Sequence, residues 1–241
     1  MRPLSPEQAR RLLEAARGDR LEALYVLAVH CGLWQGELLG LRWEDVDLEA
    51  GTLHVRRTLT LAKDGPKFMA PKTAKSRRQI RFTTGAVEAL KRHHDRQFEE
   101  CTRLTGLWQD YGLVFARTIG TPINPRNLTG RSFKPLLKQA GLPDIRFHDL
   151  RHTCATLLLR RSVHPKLVQE LLGHATIAVT LDTYSHLVPG MGHQAANATG
   201  ERTRVAGCSK STPAGTRGYY GSAQFAGVFL ARSAGLEPAT F

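Results

Sequence analysis

The sequence is poor in the features that mark several large protein classes. No apolar run approaches the roughly 18 residues needed to cross a bilayer. The start, MRPLSPEQARRLLEAA, is charged and amphipathic and lacks an apolar signal core, which argues against secretion. Cys31, Cys101, Cys154 and Cys208 are scattered without a CxxC pair, so neither a disulfide framework nor a cysteine-rich zinc site is expected. Acidic residues are scarce, with 21 Asp and Glu against 34 Lys and Arg, a formal net charge of +13. They form no dense cluster, which disfavours a two-metal nuclease. What these absences leave is a cytoplasmic, strongly basic protein with no membrane partner, and its natural partner is a polyanion.

The 241 residues, 41% hydrophobic and 23% charged, suffice for one generous domain or two small ones. The positive charge is concentrated: residues 56–103 hold 13 Lys and Arg but 5 Asp and Glu. Within them PKTAKSRRQIRF (71–82) sets basic residues beside strand-like stretches, as an element that contacts DNA phosphates would; Lys75, Arg77 and Arg78 are its candidate contacts.

Periodicity and capping signals predict a mainly α fold with a small antiparallel β-sheet (α+β). Ser5, Pro6 and Gln8 open a first helix that Gly18 closes, and LEALYVLAVH (21–30) reads as a buried helix. A turn at 32–36 leads to a short helix over 37–43. Strands are expected at 52–60, near 67–70, at 77–82 and at 112–116, with turns at Asp64-Gly65 and around Thr73. Thr84 is the expected cap of a long helix to about Leu104, and Asn124-Pro125 starts another that Gly141 stops. Helices follow over 147–161, 165–172 and 176–187. Residues 1–190 form the folded domain, and 191–241, rich in Gly, Ala, Ser and Thr, read as a disordered tail.

Three fragments carry chemistry. HDLRH (148–152) puts His148 and Arg151 on one helical face, LLGH sets His174 at a turn, and LDTYSH supplies Tyr184. A phosphodiester under attack gathers negative charge that guanidinium forks neutralise. A phenol of pKa about 10 needs a base or nearby cations to lose its proton. Arginine and histidine around a tyrosine meet both demands. HDLRH also has the H-x-x-x-H spacing of zinc hydrolases, although Asp149 stands where those sites use Glu and Arg151 puts a positive charge in the ligand turn.

These fragments, with LSPEQARRLLEAA, CGLWQGELLGLRWEDVD, PKTAKSRRQI and VQELLGHATIAVTLDTYSHL in the same order, resemble the tyrosine recombinase (phage integrase) family over roughly residues 4–188. The resemblance implies a mostly helical catalytic domain that acts on double-stranded DNA without metal or nucleotide cofactor. Tyr184 would form a 3′-phosphotyrosine and Arg151 would clamp the phosphate. His174 would donate to a non-bridging oxygen, and His148 would assist proton transfer. Lys72 would protonate the leaving 5′ oxygen, with Lys75 as its rival.

The family pattern G-L-R-x-G-E reads Gly32-Leu33-Trp34-Gln35-Gly36-Glu37 here, so Trp34 stands in the place of the first catalytic arginine. Indole offers one neutral donor and cannot grip a phosphate bidentately. Arg42, about 12 Å along a helix, is no substitute. The plain alternative is that Trp34 packs in the core. Family members also carry a helical domain ahead of the catalytic one, whereas Met1 lies just before the first helix; a truncated integrase with weak, salt-sensitive DNA affinity is the expectation. Self-association, or a non-catalytic role binding DNA or pairing with an intact recombinase, is the competing one.

Overall fold

Residues Glu22–Cys31 (α2) are apolar around nearly the whole helix, and a helix of that kind can only be a central one. In a computed structural model of the chain, which describes residues 2–62, 65–71 and 76–184, α2 is buried against its neighbours on several sides. Those neighbours are Pro6–Ala15 (α1), Gln35–Gly40 (α3), Thr84–Arg103 (α4) and Asp149–Arg160 (α7). Ser5 and Gln8 form the expected reciprocal cap of α1. Gly32, at φ +60°, ends α2 and lets the chain turn into α3.

Among the described residues the β structure falls into two small antiparallel sheets. Val46–Asp47 (β1), Thr52–His54 (β2) and Gln79–Arg81 (β5) pair in the order β1-β2-β5, with Leu53 opposite Ile80 and both side chains in the core. Thr58–Ala62 (β3) pairs with Gly65–Met69 (β4). The single strand expected over 52–60 is therefore two strands in different sheets, separated by Val55–Arg57. Residues 112–116 do not make a strand of a sheet; isolated bridges, Arg42 to Leu113 and Ala116 to Pro122, fix this buried segment. The cap of α4 is Thr83, whose hydroxyl accepts from the Ala86 amide, one residue earlier than expected.

Asn124 caps Pro125–Asn127 (α5), as its sequence signal implies. The helix then widens into a π-turn at Leu128–Phe133 before Lys134–Gln139 (α6). Pro135 explains the widening, because it has no N–H to donate to the carbonyl four residues back. Pro165–Leu172 (α8) and Ile177–Tyr184 (α9) follow α7, and α9 begins close to where the sequence places it. Thr73 and the segment from residue 185 onward, including the expected tail, lie outside the described residues. Among the described residues no helix is long and apolar enough to cross a membrane.

The helix that carries the residues after Trp34 is set by close approach. A Cβ on Gly36 would lie 2.8 Å from the Leu59 carbonyl oxygen and also against the Thr58 hydroxyl, and one on Gly40 would lie 3.0 Å from the Leu59 nitrogen. The two glycines, one turn apart, thus let α3 rest directly on β3. Gly36→Val is expected to cost about 1–3 kcal/mol by overpacking. Gly85→Ala, at an open helical site, should be neutral or mildly stabilising. Urea unfolding of both variants checks this; an unchanged midpoint for Gly36→Val would contradict the contact.

Candidate active site

Arg151 is 3% exposed, and burial of a cation demands compensation. Its Nη1 donates to the Gly32 carbonyl at 2.7 Å and its Nη2 to the Leu172 carbonyl at 2.6 Å. Both acceptors sit at helix C-termini, of α2 and α8, where unpaired carbonyls carry partial negative charge. Burial, and then the nearby Arg78, lower its pKa to about 10, which still leaves it charged at neutral pH.

Glu37 on α3 is the charged counterpart of this layer. Its carboxylate receives Arg78 bidentately at 2.9 and 3.0 Å and also the Trp34 backbone N–H at 2.9 Å. Arg78 further donates its Nε to the Leu171 carbonyl at 2.6 Å. With its side chain 7% exposed, Arg78 is committed inward. The expectation that it contacts DNA phosphate gives way to a tie between the residue just before β5, α3 and the end of α8. Arg77, its neighbour, stays exposed. Lys72 and Lys75 lie outside the described residues.

His148 precedes the first turn of α7, and Trp34 precedes that of α3. Their rings stack with centroids 4.4 Å apart and planes 13° from parallel, while the Arg151 guanidinium carbon lies 4.7 Å from the indole centroid. Trp34 is 46% exposed, so it is not a core residue; it covers the polar cluster from the solvent side. Arg42 is engaged elsewhere, 3.6 Å from Glu44 and over the Phe68 ring.

Gly173, at φ +72°, ends α8 and releases His174 into the loop. There Nδ1 meets the Thr180 hydroxyl at 2.9 Å, and Gln169 holds the His174 backbone at both its N–H and its carbonyl. Burial, followed by Arg151 and Arg78, lowers the His174 pKa to about 4, so the ring is neutral. In the tautomer in which Thr180 donates to Nδ1, the other nitrogen carries the hydrogen and can donate to an anion.

Tyr184, at the end of α9, is 3% exposed, and its Oη lies 2.5 Å from Nδ1 of His152. Burial pushes the phenol up to about 12 against the pull of Arg151. His152 is the residue sequence reasoning missed. Its four-residue offset from His148 puts both on one helical face, a spacing that from sequence alone suggests only a zinc motif. Among the described residues no group of three His, Cys, Asp or Glu side chains is placed to hold a metal ion.

Tyrosine, arginine and three histidines thus converge from α7, the end of α8 and α9, and Trp34 lies across them. A model of the phage integrase family matches residues 2–190. The chain belongs to that family. It is 39% identical over 197 residues to a tyrosine recombinase XerC-like protein of Caldanaerobacter subterraneus subsp. tengcongensis, covering 77% of this chain and 50% of that protein. It is 30% identical over 206 residues to prophage integrase IntR of Escherichia coli K12, covering 78% and 48%. The chain spans about half the length of the curated relatives it matches. Among solved structures it is similar to a Tn1549 transposon integrase in complex with a circular intermediate DNA, with a TM-score of 0.66 and 25% identity over 83% of this chain and 65% of that one. The catalytic domain of bacteriophage HP1 integrase, at 16% identity, TM-score 0.53 and coverage of 86% and 99%, shares the fold.

Two outcomes follow from this family pocket. Glu37→Gln strands the buried Arg78 charge and is expected to cost about 3–5 kcal/mol, read as a lower denaturant midpoint; a loss too small to measure would contradict the pair's role. His174 is held neutral, with a folded pKa of about 4 against 6.5 ordinarily. The unfolded chain therefore binds more protons between these values, and the His174 contribution, complete above pH 6.5, is lost as pH falls toward 4. Stability measured against pH should accordingly fall less steeply through this window in His174→Asn than in the unaltered chain; parallel profiles would contradict it.

Proposed function

We propose that residues 1–190 are the catalytic domain of a site-specific DNA recombinase that cuts and rejoins strands through a 3′-phosphotyrosine, and that Trp34 impairs this chemistry. Residues 191–241 are a tail outside that domain. Tyr184 is the nucleophile and Arg151 the phosphate clamp. Neutral His174 donates through Nε2–H, and His148 lies at the mouth beneath the indole. Lys72 supplies the proton for the leaving 5′ oxygen, with Lys75 as its alternative, and Arg77 meets the DNA backbone. Support for the DNA substrate comes from the net charge of +13 and from the transposon integrase solved with DNA. Energy stored in the phosphotyrosine makes ligation independent of a nucleotide.

The observation that carries the impairment is the indole's position, stacked on His148 and 4.7 Å from Arg151. In-line attack on phosphorus spreads charge over the non-bridging oxygens, and the pocket needs fixed cations there. Where the family places a guanidinium, this chain offers one neutral N–H and a ring lying 4.7 Å from the Arg151 guanidinium carbon. The second reading, a remnant that binds DNA or pairs with an intact recombinase, draws on exposed apolar residues of α8 and α9, Leu167, Ile177 and Val179.

Incubation with a nicked suicide duplex, followed by denaturing gels, tests the assignment. The unaltered chain should shift the duplex but trap little covalent adduct. Trp34→Arg should raise adduct formation by about 10²–10³-fold or more, the usual worth of a preorganised donor. Robust adduct from the unaltered chain would overturn the impairment, and no adduct from Trp34→Arg would favour the remnant.

A further inference from the structure

We propose that His152 is the general base of this pocket: its Nδ1 takes the proton from Tyr184 Oη as that oxygen attacks the phosphodiester, and returns it when the strand is resealed. This rests on the strand-cleavage reading above and moves the proton-transfer role from His148 to its neighbour one turn along α7.

Geometry separates the two histidines. Tyr184 Oη lies 2.5 Å from Nδ1 of His152, inside hydrogen-bond range, and both residues are buried, at 3% and 8% exposure. The His148 ring is engaged by stacking on Trp34 and stands edge-on to His152, with centroids 4.6 Å apart and planes at 77°. Among the described residues, the Tyr184 hydroxyl has no other hydrogen-bond partner than His152.

The protonation states agree with that placement. Burial keeps the phenol protonated, and in the proposed arrangement it donates to the facing ring nitrogen. Burial first, and then His148, lower the His152 pKa to about 4, which leaves the ring neutral; the proposal requires its hydrogen on Nε2, with Nδ1 open toward the phenol. At rest such a base is weak. Entry of a phosphodiester adds negative charge beside the ring and favours the imidazolium, while Arg151 favours the phenolate. In the step itself the Oη–H bond breaks and an Nδ1–H bond forms. The Oη–P bond forms as the P–O5′ bond breaks, and the departing oxygen takes its own proton from Lys72 or water. Resealing reverses each change.

Two measurements decide this. Ring-nitrogen NMR of histidine-labelled protein, with His152→Asn assigning the signal, reads the tautomer without requiring cleavage. The expected result is a neutral ring protonated at Nε2, whose Nδ1 resonance moves in Tyr184→Phe; a proton on Nδ1 would overturn the proposal. In the Trp34→Arg background, His152→Asn keeps an amide near the Nδ1 position but has no base. It should slow adduct formation by about 10²-fold or more while leaving the duplex gel shift unchanged. An undiminished rate would overturn the proposal. Absence of adduct in Trp34→Arg itself would instead sink the cleavage reading, and the tautomer would still decide where the phenol proton can go.

Discussion

A guanidinium taken out of water must be answered by fixed negative charge, and for Arg151 the answer is two helix ends. The carbonyls of Gly32 and Leu172 close α2 and α8 and converge on the same side chain of α7. This arrangement joins the central helix to the last helices of the described chain and fixes where a phosphate could be gripped. Gly32 and Gly173, both in the left-handed conformation, make it possible by exposing those carbonyls and turning the chain away. A cation held by two carbonyl dipoles keeps three of its five N–H donors and a charge that a directly paired carboxylate would have cancelled.

The Glu37–Arg78 pair carries out the complementary task. It gives the pocket its buried carboxylate but spends it on Arg78, so Arg151 stays available to an anion. The same carboxylate holds the Trp34 N–H, so the residue that covers the pocket is anchored to the pair that frames it. Among the described residues around Arg151, the histidines have lowered pKa values and are neutral at pH 7, and an indole lies over the guanidinium. Electrostatic stabilisation is the largest part of what a phosphoryl-transfer site does, and under the proposed function it would depend here on one guanidinium where the family pattern supplies two.

Much of this was legible in the sequence. Ser5 with Gln8, Asn124-Pro125 and the all-apolar run of α2 each carry local information strong enough to fix an element. His148, Arg151, His174 and Tyr184 could be grouped because the family motifs arrive in order. What was not legible depends on partners far along the chain. Arg78 looks identical to Arg77 in a basic run, and only the buried Glu37, 41 residues away, tells them apart. His152 needed the position of Tyr184, 32 residues on, before its spacing meant anything other than a metal motif. The break between β2 and β3 and the π-turn ahead of Pro135 are likewise settled by tertiary pairing and a missing donor, which hydrophobic alternation does not encode. The sequence marks Trp34 as a departure from the family pattern but leaves its packing open, and the structure places it half in solvent over the pocket.

The account stands on the claim that Trp34 keeps the scissile phosphate from being held by more than one guanidinium. A crystal structure of the unaltered chain bound to a duplex measures this directly. The account predicts the indole still lying over Arg151, with Arg151 as the sole guanidinium in contact with the phosphate oxygens. A second guanidinium within hydrogen-bond distance of those oxygens, from any part of the chain, would contradict it.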